Sequence, residues 1–172
     1  MDPVDTRDAW ASFYDGHAAN VRQYCAMICP AQFVDEATFV AFRDFLARLA
    51  EAGPDPDVDD LLRKATRGAA AGRVEVRAQI EEAAEGLAQT RTEPGPACLA
   101  MPELIAAYVS GELPRDSGLD EHVVECAVCQ STAIRFRDAE SAFTAELSEQ
   151  PPDAIRRAWL EIASTARTAL PR

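Results

Sequence analysis

In segment after segment of this chain the apolar side chains recur every three or four residues. That is the spacing of one helical face and not the alternation of a strand. Trp10, Phe13, His17, Val21, Tyr24 and Ile28 form one such stripe, and Phe39, Phe42, Phe45, Leu46 and Leu49 form a second. Proline and glycine, which are costly inside helices, fall mostly at junctions such as Pro30, Gly53-Pro54, Pro94-Gly95-Pro96 and Pro151-Pro152. The pattern predicts an all-α fold.

The first helix is expected to begin after Asp5 or Thr6 and to close at Pro30. The second should be capped by Asp35 and stopped at Gly53-Pro54. A short third helix should follow the Asp55-Pro56-Asp57 cap through Val58, Leu61, Leu62 and Ala65 and loosen at Gly68, with Gly72 separating it from a fourth that carries Val76, Ile80, Ala83 and Leu87. The run Thr92 to Pro96 cannot continue a helix and is placed as a domain boundary. Beyond it come a helix with Leu104, Ile105 and Tyr108 that ends near Gly111, one from about Leu119 into the Cys126 region, and one marked by Phe136, Ala139, Phe143 and Leu147. Ile155, Trp159, Ile162 and Ala166 make a last amphipathic helix. The expected units are therefore two small helical domains, 1–92 and 97–150, followed by a C-terminal helix in 151–172.

The formal net charge of −12 repels nucleic-acid phosphates and favours a protein partner. No apolar run is long enough to cross a bilayer, and the start, Met1 to Asp5, lacks the basic and apolar regions of a secretion signal. A cytoplasmic protein without membrane contact is expected. Thiols are kept reduced there, so the five cysteines read as metal ligands, sensors or core residues rather than as a disulfide framework.

The sharpest local signal is His122, Cys126 and Cys129, a His-x3-Cys-x2-Cys cluster. His122 and Cys126 share one helical face, and the two residues before Cys129 let both sulfurs reach one ion at a helix end. A structural zinc site needs four ligands, and Cys98 is the only nearby Cys or His able to complete the shell. The expected Zn²⁺ site is Cys98, His122, Cys126 and Cys129. With every position filled by protein, such a zinc is structural and leaves no place for a substrate. The competing readings are buried thiols beside a surface histidine, or a redox CxxC, which ordinarily follows a strand.

The spacing Cys98-x23-His122-x3-Cys126-x2-Cys129, with the stretch Leu104 to Leu113 between the first two ligands and Pro151-Pro152-Asp153 beyond them, resembles the zinc-binding anti-sigma domain family. That resemblance implies a protein that holds an extracytoplasmic-function sigma factor away from RNA polymerase. The segments Trp10 to His17, Val34 to Phe42 and Leu61 to Arg67 are similar to sigma region 2 of the same sigma factors. In that family the middle helix meets the polymerase clamp and the last one opens promoter DNA. Here Phe39 stands where the clamp-binding helix usually carries Gln. Leu61, Gly68 and Gly72 replace the expected Trp, Asn and Asp, and only Arg67 and Arg73 keep the basic pattern. Strand opening needs aromatic faces and free cations, so no specific DNA binding by this chain alone is expected.

Cys25 and Cys29, four apart, suit a packing face and could also form a reactive pair. His17 is expected to be packed or capping. Trp159, with Ile155 and Ile162 beside it, is expected to anchor into a partner groove or into the chain's own core. Two functions follow: an anti-sigma-like regulator that binds a sigma factor, or a self-docked fusion in which the sigma-like half sits on its own zinc half and acts on RNA polymerase or another regulator. No nucleophile with a base, phosphate-binding glycine loop or open metal site points to an enzyme.

Overall fold

The computed structural model describes residues 3–74, 102–113 and 119–166, and among these every regular element is helical. The α-helices are α1 (Pro3–Ile28), α2 (Val34–Glu51), α3 (Val58–Ala71), α4 (Pro102–Val109), α5 (Leu119–Glu125), α6 (Ala127–Glu140) and α7 (Asp153–Thr165). Short 3-10 turns, Ala31–Phe33 and Ser141–Thr144, precede α2 and follow α6. The expected fourth helix around Val76 to Leu87 and the boundary at 92–96 lie outside the described residues.

Local chemistry explains most helix ends. Helix α1 starts at Pro3, earlier than the caps Asp5 or Thr6 imply, because a proline suits a first helical position, where an amide would have no partner. Asp35 does not cap α2. The cap is Phe33 without a side-chain bond, and Asp35 sits in the first turn, where its charge favours the helix dipole. Asp57 does cap α3, accepting from the Asp60 amide at 2.9 Å. Helix α3 runs through Gly68 to Ala71 instead of loosening there. Gly111 takes a φ of 78° just past α4, the left-handed conformation that glycine adopts without strain at a helix end.

Helix α1 is the spine. Its first half, with α2, α3 and α7, builds one core around Trp10, Tyr14, Phe42, Phe45, Leu62 and Trp159. Its last turns contribute Tyr24, Cys25, Ile28 and Cys29 to a second core, closed by Ala70 and Ala71 of α3, Ile105 of α4 and Phe136 of α6. Both cores therefore combine helices from either side of the segment 75–101. Thr38, Thr66 and Thr132 are buried, and each donates to the carbonyl four residues back, so no hydroxyl among them is stranded.

Trp159 could have anchored a partner or this chain. It is fully buried against Trp10, Tyr14 and Phe42, with ring centroids 5.6, 5.3 and 5.3 Å away. Of its two expected anchorages this is the one in the chain's own core: a large aromatic stripe finds its burial in the nearest apolar face, here that of α1 and α2. Ile155 packs partly against the same core, and Ile162 stays 38 % exposed.

Candidate metal centre

The sequence places His122 in the last turn of α5 and Cys126 at the break between α5 and α6. Cys126 has extended angles (φ −99°, ψ 108°) and is the N-cap of α6, while its own amide still bonds the His122 carbonyl at 2.8 Å. Cys129 lies in the first turn of α6, whose Gln130 amide closes on the Cys126 carbonyl at 2.8 Å. Cys126 is thus the junction between the helices that carry the other two donors. All three donor atoms lie within 4.8 Å of one another, and His122 Nε2 is 3.2 Å from Cys129 Sγ.

Ligand atoms on one tetrahedral zinc are about 3.6–3.8 Å apart, given metal–ligand bonds of about 2.0–2.3 Å. The cluster is already near that spacing, and these three side chains could hold a metal ion. Cys126 and Cys129 are buried. Cysteine binds metal as the thiolate. Two sulfurs and an imidazole are a soft donor set, unsuited to calcium or magnesium. Cys98, the expected fourth ligand, lies outside the described residues.

The centre is braced from behind. Val123, Cys126, Val128 and Cys129 belong to the same core as Tyr24, Ile28 and Ala37. Arg135 of α6 reaches across to donate to the carbonyls of Met27 and Ile28, both at 3.1 Å, capping the end of α1.

A set of ion pairs escaped the sequence reading, although Arg67 and Arg73 themselves did not. Arg67 of α3, with only 11 % of its side chain exposed, makes a bidentate pair with Glu140 (2.8 Å to each oxygen) and a further bond to Glu112 at 2.9 Å. Tyr24 also donates to Glu140, at 3.3 Å. Partners 73 residues apart carry no local signal. Arg73 pairs with Glu36. Midway along α1, Arg156 of α7 grips Asp15 at 2.6 and 2.7 Å, and this bond holds the Asp15 carboxyl below the usual carboxylate range. Asn20 donates to the carbonyls of Ala142 and Ala145 at 2.6 and 2.8 Å.

His17 is packed, as one of its two readings had it, 4.6 Å from the Phe13 ring and 3.9 Å from Asp59. Burial lowers its pKa, with Asp59 opposing. Among the described residues no helix is long and apolar enough to cross a membrane. No protein-family model, curated protein or solved structure matches the chain.

Proposed function

We propose that this protein is a non-enzymatic zinc-binding regulator of transcription, built as a sigma-like helical half held by its own anti-sigma-like zinc half. The ion is zinc, bound by Cys98, His122, Cys126 and Cys129 in the cytoplasm, and it fixes how α5 meets α6. The self-docked arrangement is favoured over an anti-sigma factor awaiting a separate sigma factor by one observation. Both cores are shared between helices before residue 75 and helices after residue 101. A sigma factor arriving from outside would have to displace α1 to α3 from faces they already fill.

The ion pairs support the same reading. Arg67 and Arg73, the two cations that retain the DNA-facing pattern, are engaged by Glu140, Glu112 and Glu36. A guanidinium satisfied by carboxylates has little to offer a phosphate, and the −12 charge acts in the same direction. The protein acts on RNA polymerase or another regulator through protein surfaces, without recognising a promoter.

The test is co-purification of the tagged full-length chain from its own cells, followed by immunoblotting for sigma factors and polymerase subunits. Retention of core polymerase or a regulator, without a sigma factor and strengthened by Glu140→Ala, is the expected result. Stoichiometric capture of a sigma factor by the wild-type chain overturns the self-docked arrangement in favour of a conventional anti-sigma factor.

A further inference from the structure

A cavity of about 240 Å³ lies where α1, α3 and the turn after α6 meet. Val21, Leu62 and Phe143 give it apolar walls, and Asn20, Asp59 and Arg63 bring polar and charged groups to it. It shares no residue with the metal cluster. Its volume is many times the about 10–15 Å³ that one water needs.

The two charges at this cavity are kept apart. Asp59 and Arg63 are four apart on α3 with the acid first, the arrangement in which opposite charges on neighbouring turns ordinarily pair. One residue further on, Asp60 and Lys64 do pair, at 2.9 Å. Asp59 instead stands 3.9 Å from His17 Nε2, and the Arg63 guanidinium lies over the Phe143 ring, 5.5 Å from its centroid. Stacking on a ring orients a guanidinium without using its N–H donors. Among the described residues Arg63 has no carboxylate partner and no hydrogen bond. Asn20 donates both amide hydrogens to the Ala142 and Ala145 carbonyls, which fixes the turn against α1 and leaves its side-chain oxygen as a further acceptor.

Gly16 is an independent sign. It stands in the interior of α1, where glycine weakens a helix relative to alanine. A Cβ at this position would meet no atom within 4 Å, so packing within the protein does not call for glycine. The residue lines the cavity, and its missing side chain leaves the wall open there.

We propose that this cavity binds a free apolar α-amino acid of about leucine's size, with its carboxylate on Arg63, its ammonium on Asp59 and its side chain against Val21, Leu62 and Phe143. Side chains on successive turns of one helix have Cβ atoms about 5–6 Å apart, so the two charges stand close enough to serve an ammonium and a carboxylate carried by one carbon. A ligand with a single charge would leave one of the two unanswered. The planar guanidinium suits a carboxylate, which it can hold with two parallel bonds. The walls come from helices before residue 75 and from the turn that follows α6, so the site exists only while these are packed together, and an occupant stabilises that packing.

The test is equilibrium dialysis of the full-length chain, with its metal as purified, against L-leucine at millimolar concentration, with the melting temperature followed in parallel. Saturable uptake of one leucine per chain and a rise in melting temperature are expected. Leucine's analogues without the ammonium (4-methylpentanoate) and without the carboxylate (3-methylbutylamine) should each bind at least about tenfold more weakly, as the loss of a hydrogen bond to a charged group implies. Arg63→Gln and Asp59→Asn should each weaken leucine to a similar degree, and Asp59→Asn should hold 4-methylpentanoate no less tightly than the wild type does. Gly16→Leu should fill the cavity and block uptake without lowering the melting temperature of the free protein. No saturable uptake of leucine, equal binding of leucine and 4-methylpentanoate, or uptake undiminished in any of the three variants overturns the proposal. Zinc content is measured on the same preparation, so a failed metal assignment is not mistaken for a failed ligand site.

Discussion

Replacing Trp159 by alanine distinguishes a helix that belongs to the fold from one kept for a partner. A buried tryptophan removes about 150–250 Å² from water, which at about 25 cal/mol per Å² is worth about 4–6 kcal/mol. Part of this is offset, since the Trp159 indole nitrogen is buried with no hydrogen-bond partner among the described residues, as are the Trp10 nitrogen and the Tyr14 hydroxyl beside it. An unsatisfied donor costs about 1–3 kcal/mol. The expected loss for Trp159→Ala is therefore about 3–4 kcal/mol, in line with the cost of tryptophan truncation in other cores. Against a total stability of about 5–15 kcal/mol, this is a large fraction. Urea unfolding followed by helical circular dichroism gives the difference from the shift in midpoint at constant slope. Trp159→Phe, which keeps a ring and removes the stranded N–H, should lose about 1 kcal/mol or less. A loss below about 1 kcal/mol for Trp159→Ala would refute the reasoning and return α7 to the role of a loosely held partner helix.

Glu140→Ala strips the bidentate partner from Arg67 and leaves Glu112 as its remaining carboxylate. A loss of about 2 kcal/mol is expected by thermal or urea unfolding, below the cost of an entirely orphaned buried charge, and Arg67→Met in the same chain should recover part of it. His17 contributes to acid sensitivity. Burial holds its folded pKa below the ordinary 6.5, so the unfolded chain binds the proton more tightly. Its contribution is complete above pH 6.5 and is lost as pH falls from there through the folded value. His17→Gln should flatten that part of the stability profile, and an unchanged profile would show that the imidazole titrates freely. Asp57→Ala, which removes the cap of α3, should cost about 1 kcal/mol, measured in the same assay.

Helix periodicity was the most legible feature of the sequence. The stripe from Trp10 to Ile28 and the one from Phe39 to Leu49 point into the cores they mark, because a 3.6-residue period fixes one face whatever packs on it. The Asp57 cap was legible for the same local reason. Helix ends without a cap signal were less so, as the start of α1 at Pro3 and the continuation of α3 through Gly68 show. The trio His122, Cys126 and Cys129 could be read from spacing alone, since a helical turn and a break between helices bring the three donors together within eight residues. What spacing could not reveal was which faces meet. Trp159 against Trp10, and Arg67 between Glu112 and Glu140, are pairings across long stretches of chain. The division into units at 92–97 followed the breakers Pro94, Gly95 and Pro96, which report where a helix cannot run and nothing about whether the cores on either side are separate.

The central claim is the metal centre, and the most direct measurement is metal content of the full-length chain purified without added metal, by elemental analysis alongside Cys126→Ser. One zinc per chain in the wild type is predicted, because four such donors make one closed site whose binding energy is coupled to folding. In Cys126→Ser the metal should be lost and the α5–α6 region should melt. A wild-type chain without metal that nevertheless unfolds in a single cooperative transition would contradict the account.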